Sequence, residues 1–192
     1  MTTVIKLGGS LSGDARLESW LNMLAESQSV VIVPGGGPYA DAVRAQQARW
    51  KFSDILAHRM AVLAMDQFAM QLHGIEPRLS LENDLTALKQ TCANRRAAIW
   101  LPSLMVLAAE EIPASWNITS DSLAAWLARK IYADNLVIVK SCDVPSGATI
   151  AQLIENDIVD QGFVAMSKGA TRNIRFVSVN DFAQFADSFI GA

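Results

Sequence analysis

Charge is scarce in this chain: Asp, Glu, Lys and Arg make up 18% of the residues, and 19 acidic against 16 basic side chains leave a formal net charge of −3. No block of Lys and Arg stands out, which argues against nucleic acid or an anionic membrane as partner and favours a small molecule. Cysteine is scarcer still. Cys92 and Cys142 lie far apart with no C-x-x-C and no nearby histidine cluster, so neither a disulfide framework nor a structural zinc site is expected, and both should be buried, reduced thiols. A long apolar run is also missing. The stretch 97–109 is broken by Pro102 and Ser103 and falls short of the roughly 20 residues that span a bilayer. The start, MTTVIKLGGS, has no basic segment ahead of a long apolar one, so a cytosolic protein is expected. Finally, the chain contains no Gly-Lys dipeptide, which excludes a conventional P-loop.

What the chain does have is apolar residues, 51% of 192. A chain of this length buries about 70% of its unfolded surface and can build one sizeable core without staples. Short β-branched runs at 4–7, 30–33, 97–101, 136–140 and 174–179 alternate with helical patterns at 15–26, 38–47, 53–72, 103–111, 120–131 and 150–155 and after Asp181. That alternation predicts an α/β fold with a mainly parallel sheet covered on both faces. The runs are continuously apolar, as strands buried on both faces are. Helix 53–72 is apolar around most of its circumference (Ile55, Leu56, Met60, Val62, Leu63, Met65, Phe68, Met70, Leu72), more than one sheet face can cover, so a homo-oligomer built on it is expected.

Four groups of residues carry chemistry. The first is Lys6 with Gly8, Gly9 and Ser10 at the end of the first strand. A strand lysine is costly to bury unless it meets an anion, and glycine turns let backbone N–H groups approach a phosphate; the plain alternative is a snorkelling lysine beside a tight turn. The second is Pro34-Gly35-Gly36-Gly37-Pro38, which leads into a helix N-terminus, where anions are favoured. Gly35, Gly37 and Ala40 also fit a dinucleotide fingerprint, and Asp54 stands at the acidic spacing, but residues 51–53 are not a strand. The third is Trp116-Asn117-Ile118-Thr119-Ser120-Asp121-Ser122. Thr119 and Ser120 are good helix caps, while Asn117 and Asp121 are spaced to face the glycine turns, with Asp121 holding a lysine. The fourth is Lys140-Ser141-Cys142-Asp143 at a later strand end, together with Lys168 in a loop flanked by Gly162 and Gly169. His58 is a candidate for acceptor contact or proton handling, or else a helix histidine bonded to Asp54. His73 reads as a helix C-terminal charge. Trp116, Tyr39, Arg44 and His58 are where acceptor specificity is expected, although Tyr39 and Arg44 also read as first-turn packing and a solvated charge.

Together VIKLGGSL, VIVPGGGPYADAVR, NITSDSLAAWLA and LVIVKSCDV resemble, in order and spacing, the amino acid kinase superfamily, which includes aspartokinase, acetylglutamate kinase, carbamate kinase and uridylate kinase. The segment 57–66 and Ser115-Trp116 are similar to a short subgroup from methanogens and methylotrophs that includes a kinase of methanofuran biosynthesis. The resemblance implies a three-layer αβα sandwich forming one domain, with an acceptor-binding part over about 1–119 and an ATP-binding part over about 120–192. It implies an ATP-dependent kinase of a small anionic metabolite, a phosphomonoester extended to a diphosphate. Lys6 would contact the transferred phosphoryl group, and Gly8, Gly9 and Ser10 would hold ATP phosphates. Gly35, Gly36 and Gly37 would cradle the acceptor, with Tyr39, His58, Asn117 and Thr119 around it. Asp121 would orient Lys6 and a second lysine, which is either Lys140 or Lys168. Ser141 and Asp143 would join these lysines in the nucleotide site. ATP and Mg²⁺ are the expected cofactors, with no protein-built metal site. Lysines, turn amides and Mg²⁺ can supply phosphoryl transfer without a nucleophilic side chain. Two competing readings remain: a nucleotide- or anion-storage module of the same fold, and, through the glycine match alone, a nicotinamide-dependent oxidoreductase.

Overall fold

A computed structural model describes residues 1–171 and 173–190. Among these, six parallel strands form one sheet: β1 (Thr3–Leu7), β2 (Val30–Pro34), β3 (Ser80–Glu82), β4 (Ala97–Trp100), β5 (Asn135–Lys140) and β6 (Asn173–Ser178), in the order β3-β4-β2-β1-β5-β6. The helices are α1 (Leu17–Glu26), α2 (Gly37–Trp50), α3 (Asp54–Ile75), α4 (Leu85–Ala93), α5 (Ser103–Val106), α6 (Ser120–Ile131), α7 (Ile150–Glu155), α8 (Phe163–Met166) and α9 (Phe182–Ile190), packed on both faces. This is the αβα sandwich expected.

The pleat divides the core in two. Val4, Val31, Val33, Leu136 and Ile138 pack with α6 and its neighbours on one face, while Ile5, Leu7, Ile32, Val137 and Val139 pack with Trp20 of α1 and Phe185 of α9 on the other. Lys6 shares the pleat of Val4, and Lys140 that of Leu136 and Ile138, so both lysines leave the sheet on the α6 side. Register puts Lys6 opposite Ile138, one pleat behind Lys140.

Several boundaries differ from expectation. The edge strand Ser80–Glu82 and helix Leu85–Ala93 were not legible, because three half-buried residues at an edge show too little pattern. The helix expected over 103–111 stops at Val106. Ser53 caps α3 as expected, accepting from the Leu56 N–H. Cys142 is exposed, in contrast to buried Cys92, because it falls in the turn after β5. No helix among the described residues is long and apolar enough to cross a membrane.

Candidate active site

The first glycine turn follows directly from β1 and the second from β2, and parallel pairing of these strands brings the two turns face to face. The Gly35 N–H donates to the Leu7 carbonyl at 2.8 Å. A Cβ on Gly9 would collide with the backbone of Gly37, and one on Gly35 with the backbone of Gly9. Gly37 opens α2 with a φ of +54°, a conformation glycine adopts without strain. The glycines are therefore needed first for turn-on-turn packing, and the packing aims the N-terminus of α2 at the ends of β1 and β2.

Beside these turns sits a buried triad. Asp121, in the first turn of α6 and 2% exposed, receives the Lys6 ammonium at 2.8 Å from Oδ1 and the Lys140 ammonium at 2.8 Å from Oδ2. Burial pushes the Asp121 carboxyl up, but the two ammoniums outweigh it and hold the group below its usual range. Burial also lowers Lys6 below the usual lysine value, against the pull of Asp121 that raises it. Two cations on one carboxylate leave the triad itself net positive, offset in part by the charge of Asp160 that also reaches Lys6. The Lys6 ammonium lies against Gly8, where a Cβ would come within 3.1 Å of it. A lysine buried this deeply beside open backbone amides is the arrangement a phosphoryl group requires.

Two cavities adjoin at Trp116 and Thr119, and the second reaches the triad. The first, of about 260 Å³, is lined by Gly9, Ser10, Gly36, Gly37, Thr119 and Ser120 at its polar end, by Val62, Met65, Ile118 and Leu123 along its floor, and by Asp41, Arg44, His58 and Trp116. The Arg44 guanidinium lies 4.3 Å from the Trp116 ring centroid, and the indole N–H donates to Gln47 at 2.7 Å. The second cavity, of about 290 Å³, is lined by Asn117, Thr119, Asp121, Lys140, Asp157 and Asp160 with Trp116 at the shared wall.

The structure sorts the expected site residues. Lys6, Gly8, Gly9, Asp121 and Lys140 come together, and a Ser10 to Ser141 hydroxyl contact of 2.9 Å ties the first glycine turn to the turn after β5. Asp143 is directed away toward the end of β6, accepting from Asn180 at 2.7 Å and from Ser178. Asn117 lies on the second cavity with Lys140, not with the glycine turns of the first, because its carbonyl is held by the Gly162 N–H at 2.8 Å. Tyr39 lines neither cavity; its hydroxyl donates to Gln71 of α3 at 3.1 Å, so its role is to join α2 to α3. Lys168 is exposed in the loop after α8, where its carbonyl accepts from Arg129 at 3.3 Å, and it does not reach the triad. Asp54 accepts from Gln47 at 2.7 Å and not from His58, which removes the helix-pair reading of that histidine. Residues 51–53 link α2 to α3 with no strand, so Asp54 cannot close a dinucleotide site.

Asp160 was missed. It accepts from the Thr119 N–H and hydroxyl at 3.0 and 2.7 Å and from the Ser122 N–H at 3.0 Å, and it also receives the Ser122 hydroxyl, so it caps α6 where Thr119 makes no side-chain cap of its own. A capping carboxylate supplied 41 residues away leaves no local signal. His73 donates its Nδ1–H to the Leu79 carbonyl at 2.8 Å and is structural.

Facing glycine turns, a lysine–aspartate–lysine centre and two adjoining cavities at the carboxyl ends of parallel strands define a phosphate-handling αβα protein. Residues 1–146 match the amino acid kinase family, and the chain belongs to it. It is an ATP-dependent kinase of a small metabolite. It is 29% identical over 188 residues to the (5-(aminomethyl)furan-3-yl)methyl phosphate kinase of Methanocaldococcus jannaschii, covering 91% of this chain and 87% of the relative. Its fold is similar to that of uridylate kinase from Archaeoglobus fulgidus (TM-score 0.71, 18% identity, 100% of this chain and 96% of that one). It is also similar to UMP kinase from Ureaplasma parvum (TM-score 0.69, 13% identity, 94% and 90%).

Proposed function

We propose that this kinase transfers the γ-phosphoryl group of ATP to a small phosphomonoester, giving a diphosphate, and that the acceptor is of the aminomethylfuranmethanol phosphate kind acted on by the methanococcal relative. The observation that carries this reading is the Lys6–Asp121–Lys140 centre on the second cavity, next to the glycine turns of the first. An ionised phosphate acceptor needs no general base. It needs cations to offset its repulsion from the incoming phosphoryl group and rigid donors to align the two. Lys6, the amides of Gly9, Gly36 and Gly37, and the N-terminus of α6 supply both. The first cavity is at the small end of ligand sites, which suits one ring and a phosphate better than a nucleotide. Trp116, braced by Gln47 and Arg44, offers that ring an aromatic wall.

In this reading residues up to about 119 bind the acceptor and those beyond bind ATP, and the reaction is cytosolic. No group of three or more metal-binding side chains that could hold an ion occurs among the described residues. Of the carboxylates on the second cavity, Asp121 is engaged by two lysines and Asp160 by α6, which leaves Asp157 alone to meet an ion. The chain therefore does not fit a protein-built Mg²⁺ cage; the ion would be carried on the nucleotide phosphates with its waters.

The direct test is ADP release with purified protein, MgATP and a panel of phosphomonoesters, carboxylates and carbamate. Turnover with (5-(aminomethyl)furan-3-yl)methyl phosphate and formation of its diphosphate are expected. Nucleotide binding by calorimetry with no transfer to any acceptor would replace the kinase reading with a binding module.

The chain also assembles through α3 in this proposal. Leu56, Leu63 and Met70, 47%, 48% and 56% exposed, repeat every seven residues along one stripe, flanked by exposed Ile55 and Trp50. Two such stripes pack against each other as a self-complementary seam. Leu63→Glu is expected to convert a dimer or higher oligomer to a monomer by light scattering; an unchanged mass would remove α3 from the interface.

A further inference from the structure

We infer that His58 receives a hydrogen-bond donor, an ammonium group, at the end of the acceptor remote from its phosphate, and so sets acceptor specificity instead of handling a proton at the reacting atoms. The inference rests on the kinase reading above. His58 is 8% exposed and lines the first cavity. Among the described residues no hydrogen bond or ion pair reaches its ring, and its one near candidate, Asp54, is taken by Gln47. The ring nitrogens are therefore open to the cavity they line, where a ligand can reach them.

Its position along α3 decides which end of the ligand it meets. Phe68 packs against Gly37, where a Cβ would lie 3.3 Å from the ring, so this part of α3 marks the glycine-turn end of the cavity. His58 precedes Phe68 by ten residues, about 15 Å along the helix axis at 1.5 Å per residue. Helix α2 runs back along α3, from Gly37 beside Phe68 to Gln47 bonded to Asp54, which brings Arg44 to the level of His58. The phosphoryl group, held near Lys6 and the glycine amides, is thus out of reach of the imidazole. The floor between them is Met65, Val62 and Ala61, a surface for a ring and not for charge.

Burial lowers the His58 pKa, so the ring is neutral and one nitrogen is an acceptor. Arg44 faces the same end, which further disfavours a cationic imidazole, and its own charge is engaged by the Trp116 ring and by the Asp41 carboxylate at 3.1 Å. Asp41 lines the cavity as well, and its pairing with Arg44 leaves this end electrically balanced. A neutral acceptor nitrogen beside a balanced Arg44–Asp41 pair offers a ligand ammonium a hydrogen-bond partner.

The test compares kcat/KM for (5-(aminomethyl)furan-3-yl)methyl phosphate with that for the analogue carrying a methyl in place of the aminomethyl group. The wild-type chain should prefer the amine by about tenfold or more, the worth of a buried hydrogen bond to a charged group. His58→Leu should erase that preference through KM, by lowering kcat/KM for the amine about tenfold more than for the methyl analogue. His58→Asn, which retains an acceptor, should keep part of the preference. The inference is overturned if the wild type shows no preference, if His58→Leu retains it, or if that variant loses both acceptors alike. Failure of the wild type on both acceptors, with turnover of some other phosphate, overturns instead the acceptor assignment on which the inference rests.

Discussion

Replacing Asp121 is expected to be the most damaging single change in this molecule. Its carboxylate is 2% exposed and is the shared partner of two ammoniums, each at 2.8 Å. Asp121→Ala leaves both cations desolvated and facing each other, and removing one partner from a buried ionic cluster costs about 3–5 kcal/mol. Asp121→Asn keeps the shape and the position in the first turn of α6 but not the charge. It should remain folded by circular dichroism and lose about 100- to 1,000-fold in kcat, the effect of removing one preorganised electrostatic group. The pH dependence gives an independent reading. Burial already lowers the Lys6 pKa and Asp121 is what raises it back, so Asp121→Asn must lower Lys6 further. Residual activity of the variant should therefore fall with rising pH earlier than that of the wild type. An Asp121→Asn enzyme with unchanged kcat and an unchanged alkaline limb would remove the triad from the mechanism.

Much of this centre was legible in the sequence because it depends on strands. The apolar runs fixed β1, β2 and β5, and a lysine two residues beyond an inward-facing apolar residue must leave the sheet on the same side. Lys6 and Lys140 obey that rule from Val4 and from Leu136 and Ile138. The aspartate was found because α6 begins with an acidic first turn behind a polar loop. What the sequence did not reveal depends on contacts between distant loops. Asp160 caps α6 from a segment between α7 and α8, and nothing within 157–162 points to that helix. Tyr39 was assigned to the acceptor from its place after the glycines, yet the 100° step per residue of α2 carries it round to Gln71 while Ala40, Asp41 and Arg44 face the cavity. Asn117 was expected beside the glycine turns, but the Gly162 N–H fixes its backbone on the other side of Trp116.

The two candidate lysines provide the second large effect, since sequence alone could not separate them. Lys140 ends β5 in the interior of the sheet, between β1 and β6, and its ammonium donates to Asp121 at 2.8 Å while lining the second cavity. Lys168 lies in an exposed loop, where its own carbonyl accepts from Arg129 of α6. Lys140→Met should lower kcat about 100-fold or more, because the second cation on the phosphates is gone. Folding should survive, because Asp121 retains Lys6 and the methionine stem replaces the lysine stem at a position that is 16% exposed. Lys168→Met, a substitution at an exposed loop position, should change stability by less than about 0.5 kcal/mol and leave kcat near the wild-type value. Combining Lys140→Met with Asp121→Asn should cost less than the sum of the two single losses, since both act on one electrostatic unit. Steady-state kinetics on the four proteins decide the matter: a larger loss in Lys168→Met than in Lys140→Met would mean that the loop closes onto the nucleotide and that Lys168, not Lys140, is the second phosphate-binding cation.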